Sequence, residues 1–391
     1  MTITRLDALI RKQEAMASTS RQEIEAMQLR KLNALLKKEY DRQGFYRDLP
    51  ASLRSLDDLK ALPFTTAEDL AEHGSSMLLL SQSAVERVIT ERTSGTTGAA
   101  KRLFYTAGDL ERAVQLFTAG LGELIFPGSV TMICFPFSGP NGLGELIAEA
   151  IERLEAKPLR VGVGNSYAEL AEILEQERPD TFVGMPVPLL SLLRVCGRGS
   201  LRRALVSGDA CPEAVVRGAE ALLGSALFPH YGSREMALGG AITCPAHAGM
   251  HLRENHVIAE IVSSDGAPLP EGEWGELVIT TIGMEVMPMI RYRTGDRARI
   301  LPGPCPCGSE IRRLDTVSRL DAEAFLRLEN TMFSLPWVAD YRAEQRPDGL
   351  HLEVLTCGEA PSALPDLAAA WSLRPVQPED RPLIAGKRSI T

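Results

Sequence analysis

Between residues 85 and 223 the chain alternates short, β-rich apolar runs with helical stretches, and that rhythm narrows the fold more than any other feature. Residues 85–90, 131–135, 159–163, 181–183 and 204–206 read as strands. Residues 110–125, 143–154, 170–177 and 214–223 read as the helices between them. Such alternation builds a mainly parallel sheet covered by helices. Ahead of it, Ile24, Met27, Leu32, Leu35 and Leu36 recur at three- and four-residue spacing, which predicts an amphipathic helix over 23–40. Past His256 the period changes to two. Residues 257–262, a turn at Ser264-Asp265-Gly266 and residues 275–280 predict an antiparallel β region. After Asp321 the signal thins to an alternating pair, 338–342 and 350–355, and a Pro-rich tail that ends at Lys387. The fold class expected is α/β.

Hydrophobic residues make up 45% of the 391 and charged residues 24%, enough apolar material for a real core and no case for global disorder. The balance of 42 basic against 51 acidic residues, net −9, weighs against nucleic acid as a partner, because duplex binding needs clustered positive charge. No run approaches the ~18 apolar residues of a membrane span, so no membrane partner is expected. The start of the chain, with Arg5, Asp7, Arg11, Lys12 and Glu14, lacks the apolar core of a secretory signal, which leaves the cytoplasm as the expected compartment. Seven unevenly spaced cysteines do not form a disulfide framework.

The strongest local feature is the string Thr93-Ser94-Gly95-Thr96-Thr97-Gly98-Ala99-Ala100-Lys101. Small hydroxyl residues and glycines let backbone amides and hydroxyls converge on an anion, as a phosphate loop requires. It is not a Walker loop, whose glycines stand further apart with Lys directly after the second. A second cluster is Cys244 with His251 or His247, and Cys305 with Cys307. Three thiolates and an imidazole make a closed tetrahedral set that suits structural zinc. Cys134, Cys196, Cys211 and Cys357 read as small hydrophobes.

Taken together, the motifs resemble the adenylate-forming (acyl-CoA synthetase/ligase) superfamily, and within it the phenylacetate–CoA ligase-like branch. The loop ending in Lys101 matches that superfamily's phosphate loop. Tyr231-Gly232-Ser233-Arg234-Glu235 is similar to its Tyr-Gly-x-x-Glu segment, and Arg291-Tyr292-Arg293-Thr294-Gly295-Asp296 to its Arg-Tyr-Arg-Thr-Gly-Asp stretch. Cys305-Pro306-Cys307-Gly308, Leu62-Pro63-Phe64-Thr65 and Tyr105-Thr106 with Asp109-Leu110 also fit the branch. Gly249-Met250-His251 followed by Glu254-Asn255-His256 favours His251 over His247 as the zinc ligand.

The resemblance implies a large N-terminal domain over 1–320, with helix-covered mixed sheets and a β subdomain. A small, shortened α+β C-terminal domain over 321–391 would turn on Asp321. It implies that Thr93, Ser94, Gly95, Thr96, Thr97, Gly98 and Lys101 hold the β- and γ-phosphates of ATP. Tyr231, Gly232 and Ser233 would lie at the adenine, and Glu235 would ligate Mg²⁺. Asp296 would take the ribose hydroxyls and Arg319 would steady ribose or phosphate. Phe135, Phe137, Gly139, Met185, Pro186 and the Ser207-Gly208-Asp209 turn would border the acyl group and the nucleotide. Lys387, in Ala385-Gly386-Lys387-Arg388, falls where the family carries the lysine that serves adenylation.

The activity so implied turns a carboxylic acid, aryl or arylacetic, and ATP into an acyl-adenylate and then a coenzyme A thioester. Only seventy residues follow Asp321, fewer than that family's small domain carries. Three alternatives therefore stand beside it: delivery to a carrier-protein thiol, delivery to an amine, and a noncatalytic nucleotide-binding homologue. A homodimer is compatible with each.

Overall fold

A computed structural model describes residues 4–92, 100–358, 367, 369–384 and 387–390. Packing gathers the chain into two units, residues 1–123 with 230–320 and residues 124–229 with 321–391.

In the first unit, helix Arg21–Arg42 begins at Ser20, whose hydroxyl accepts the Glu23 amide, and buries Ile24, Met27, Leu32, Leu35 and Leu36. Its apolar stripe serves two clusters, one with Leu59, Leu62, Ile258 and Ile290, the other with Leu6, Leu116, Ile242 and Ile311. Helix Ala107–Leu121 starts with a reciprocal capping box between Thr106 and Asp109. The strands of this unit are antiparallel. Arg87–Arg92 pairs with Ala100–Tyr105, from Arg87↔Tyr105 to Arg92↔Ala100. Val257–Val262, Gly275–Thr281, Tyr292–Ala298 and Ser318–Arg319 form a four-stranded sheet in that order. Short strands Ala241–Thr243, Met250–Leu252, Arg313–Leu314 and Ile300–Leu301 form a further ladder.

The second unit holds the parallel sheet that the alternation predicts. Lys157–Arg160, Val130–Cys134, Thr181–Gly184, Arg203–Val206 and Phe228–Tyr231 lie in that order, and the chain passes into the first unit within the last of them. The strand set at 159–163 in the sequence begins earlier, at Lys157, where its pairing with Val130 starts. Residues 321–391, expected as a small separate domain, share one apolar core with residues 124–229. Phe182, Leu190, Leu193 and Val215 meet Leu328, Met332, Phe333, Val338 and Val354 there. That segment contains helix Glu323–Ser334, the antiparallel pair Val338–Arg346 and Gly349–Thr356, and strand Ala369–Pro375 running parallel to the second. Among the described residues no helix is long and apolar enough to cross a membrane.

Candidate active site

In the first unit, Lys101, Tyr231, Glu235, Asp296 and Arg319 come together from separate segments. Lys101 sits on strand Ala100–Tyr105, immediately after the glycine-rich string, and its ammonium forms an ion pair with Glu235 Oε1. Glu235 lies in a single 3₁₀ turn, Arg234–Met236, and is 7% exposed. Burial alone would raise its carboxyl; Lys101 outweighs that and holds it below the ordinary Glu range. The Tyr292 hydroxyl approaches the same Oε1 at 3.4 Å. On the same strand as Tyr292, Asp296 accepts from the Tyr231 hydroxyl at 2.8 Å and from Arg319 Nη1 at 3.1 Å. Arg319 is directly opposite Asp296 in the antiparallel pairing, so the register itself brings the two side chains together. Thr93 to Gly98 lie outside the described residues.

The turn that carries Glu235 depends on glycine. A Cβ on Gly232 would run into the carbonyl oxygen of Leu238, because the chain folds back through Ala237 and Leu238, both left-handed at φ 52° and 68°. Ser233 precedes the 3₁₀ turn, and its carbonyl accepts the Leu238 amide at 2.9 Å. The Tyr105 hydroxyl pins the same turn through the Arg234 carbonyl at 2.7 Å. Arg291 fixes the next strand: its guanidinium is buried, pairs with both oxygens of Glu260 at 3.1 and 3.0 Å, and donates to the Lys60 carbonyl at 2.7 Å. It also stacks over the Phe64 ring at 4.1 Å, which ties the Leu62-Pro63-Phe64-Thr65 segment to this strand.

The metal-ligating candidates also lie in the first unit. One ligand atom each from Cys244, His251, Cys305 and Cys307 falls within 4.8 Å of every other. Cys244 Sγ is 3.8 Å from Cys305 Sγ, and Cys307 Sγ is 3.5 Å from His251 Nε2. A tetrahedral zinc with its usual bond lengths separates two sulfurs by about 3.8 Å and a sulfur from a nitrogen by about 3.5 Å, so the donor set fits that ion. His247 is exposed and outside the cluster. Burial pushes the His251 imidazole down to about 4 and the Cys244 thiol up to about 12. A neutral imidazole is ready to ligate, whereas buried thiols need a cation to ionise. Arg313 binds the loops that carry the ligands, donating to the carbonyl of Ala248 and to that of Gly303 at 3.0 Å.

In the second unit the acid-pocket candidates gather at the carboxyl ends of the parallel strands, where open α/β sheets bind ligands. Phe135 follows Val130–Cys134, Met185 follows Thr181–Gly184 and Ser207 follows Arg203–Val206. A Cβ on Gly208 would lie 3.2 Å from the Phe135 ring and 3.5 Å from Met185 Cγ, so these three form one wall. Pro186 opens helix Pro186–Val195, where its missing amide hydrogen costs no helical bond. Phe137 packs instead beside Gly144 and Gly162, and Gly139 turns at φ 78° in the loop between. Asp209 accepts the amides of Ala210 and Arg388 at 2.9 and 3.0 Å; burial raises its carboxyl. Lys387 is exposed, next to buried Arg388, and Asp321 is exposed at the start of the final segment.

A sequence profile described as AMP-binding enzyme matches residues 92–289, half the chain. The chain belongs to the AMP-binding enzyme family. Within the family it falls in the phenylacetate–CoA ligase-like branch. The phenylacetate-coenzyme A ligase of Escherichia coli (strain K12) is 29% identical over 339 residues, covering 81% of this chain and 74% of that one. That of Thermus thermophilus is 29% identical over 352 residues, with the same coverage. In fold, the chain is similar to a 2-hydroxyisobutyryl-CoA ligase crystallised in the postadenylation state, with TM-score 0.78, 18% identity and coverage of 94% and 89%.

Three residues of this AMP-binding enzyme escape a sequence reading. Tyr292 lies inside a motif that was legible, yet nothing in the spacing says that its hydroxyl approaches Glu235. Arg291 reads as a charged motif residue and is in fact a buried clamp. Arg388 reads as part of a polar tail, yet it is 8% exposed.

Proposed function

We propose that this AMP-binding enzyme is an AMP-forming acid–thiol ligase that takes an aryl or arylacetic acid. A carboxylate oxygen attacks the α-phosphorus of ATP, the bond from that phosphorus to the bridging oxygen breaks, and pyrophosphate leaves. Coenzyme A sulfur then attacks the acyl carbonyl and AMP leaves. Both partners of the first step are negative, so the chain must supply positive charge and strict placement. Lys101 and the residues 93–98 before it take the β- and γ-phosphates, Tyr231 lies against adenine, and Asp296 with Arg319 holds the ribose. Lys387 neutralises charge that builds between carboxylate and α-phosphate. Phe135, Met185 and Gly208 line the acid pocket.

Glu235, ionised and close to the Lys101 ammonium, is the residue that would hold Mg²⁺; a hard cation of this kind neutralises phosphate charge. Cys244, His251, Cys305 and Cys307 would hold a structural zinc.

What supports the reading most is the convergence of Lys101, Glu235, Tyr231, Asp296 and Arg319, drawn from four segments, on two linked carboxylate pairs. Incubation with phenylacetate, MgATP and coenzyme A tests it: phenylacetyl-CoA and AMP should form in equal amounts by mass spectrometry and nucleotide chromatography. The alternative acceptor is a carrier-protein thiol or an amine. AMP release with hydroxylamine but not with coenzyme A would select that version.

A further inference from the structure

The Arg388 guanidinium is placed by more contacts than a tail residue needs. Its Nε donates to Glu329 Oε1 at 3.0 Å, its Nη1 to Asp340 Oδ1 at 2.9 Å, and its Nη2 to the Tyr341 carbonyl at 2.7 Å. The rings of Tyr341 and Phe333 lie 4.7 and 5.4 Å away. All three charged side chains are at most 4% exposed. Glu329 also accepts the Tyr341 hydroxyl at 2.6 Å, and Asp340 Oδ2 accepts the Leu383 amide at 2.7 Å. The main chain of Arg388 reaches in another direction, its amide donating to Asp209 Oδ2 at 3.0 Å. One residue therefore ties the chain end to helix Glu323–Ser334, to strand Val338–Arg346 and to the Ser207-Gly208-Asp209 turn.

Apolar packing of this core does not account for a buried arginine between two carboxylates. Well-packed hydrophobic residues are often as stable as a buried ion cluster, which is costly to desolvate. What the cluster adds is direction: three fixed acceptors set the guanidinium, and the adjacent amide sets the backbone. Lys387 is the residue on the other side of that amide, close enough for its charge to act on Asp209.

We propose that Arg388 is a positioning residue for Lys387, anchoring the tail in its own unit so that the lysine is presented at the Asp209 end of the acid pocket. This deepens the proposed function and rests on its assignment of Lys387.

The test is ATP–pyrophosphate exchange in the full chain, comparing Lys387→Ala, Arg388→Met and the double variant. Arg388→Met strands two buried carboxylates and can fail to fold. The triple variant Arg388→Met/Glu329→Gln/Asp340→Asn removes the charges together and keeps the question open to measurement. Lys387→Ala should lower the exchange kcat on the order of a hundredfold. Arg388→Met and the triple variant should lower kcat about tenfold or more, with the KM for ATP little changed. The double variant should be no slower than Lys387→Ala alone, because Arg388 acts through the lysine. Arg388 variants at wild-type rate beside an impaired Lys387→Ala would overturn the positioning role and leave the proposed function standing. An equal further loss in the Lys387→Ala background would overturn it too, as a structural effect. An unimpaired Lys387→Ala would remove the assignment of Lys387 and this inference with it.

Discussion

At the scale of single residues, the ion pair of Lys101 with Glu235 does two things at once. It offsets the burial that would raise this carboxyl and holds it below the ordinary Glu range, and on the proposed function that charge is the one a divalent cation would meet. Glu235→Gln preserves the shape and removes the charge. ATP–pyrophosphate exchange should fall about a hundredfold or more, since a preorganised charge at a phosphoryl centre is worth that much. Exchange within threefold of wild type would remove the magnesium role. The Cys/His cluster makes a separate prediction. Protein purified without chelators should carry about one zinc per chain, and Cys307→Ser should lose it with a marked drop in Tm, because structural zinc binding is folding energy. Less than about half an equivalent by metal analysis would contradict the site. The Cys/His cluster was legible because cysteine and histidine have few other reasons to occur at such spacing. The motif Gly249-Met250-His251 favoured His251 over His247, four positions earlier, and the geometry brings His251 into the cluster.

At the scale of elements, what could be read was whatever period alone encodes. The runs at 131–135, 181–183 and 204–206 became parallel strands because they are apolar on both faces, as a sheet covered by helices requires. Helix Pro186–Val195 is absent from the sequence reading; proline inside a helix ordinarily breaks it, but Pro186 and Pro188 both lie in the first turn, where proline is tolerated. Helix Glu323–Ser334 was missed because it carries no side-chain N-cap and mixes charge with Leu328, Met332 and Phe333. The Tyr292–Ala298 stretch read as a motif and is a strand, held by Arg291 on one side and opposed by Arg319 on the other. Two substitutions test how elements carry the site. Gly232→Ala must displace the Leu238 carbonyl, so it should abolish exchange while the second unit's parallel sheet stays folded. Arg291→Met leaves the half-buried Glu260 unpaired, and should cost about 3 kcal/mol by urea denaturation. A loss below about 1 kcal/mol would mean that the clamp is no more than a surface ion pair.

For the whole molecule, the division of labour follows the packing. The nucleotide candidates and the Cys/His cluster fall in the unit formed by residues 1–123 and 230–320, and the acid-pocket candidates and Lys387 in the other. The first unit also holds two histidines outside the metal cluster, His256 buried and His230 half-buried. Burial lowers His230 to about 4 and His256 well below its ordinary value. A histidine kept neutral when folded gives full stability above its unfolded pKa near 6.5 and loses it as the pH falls toward the folded value. Between pH 7 and 5.5 these two should together cost that unit on the order of 2 kcal/mol. A denaturation midpoint unchanged over that interval would show that they are not buried neutral.

On the proposed function, this AMP-binding enzyme activates a carboxylic acid by its attack on the α-phosphorus of ATP, whatever then accepts the acyl group. ATP–pyrophosphate exchange over a panel of aryl, arylacetic and fatty acids tests it most directly, because exchange requires adenylation and nothing after it. Exchange should depend on Mg²⁺ and be stimulated by aryl or arylacetic acids. Folded protein that binds ATP yet shows no exchange with any acid would contradict it.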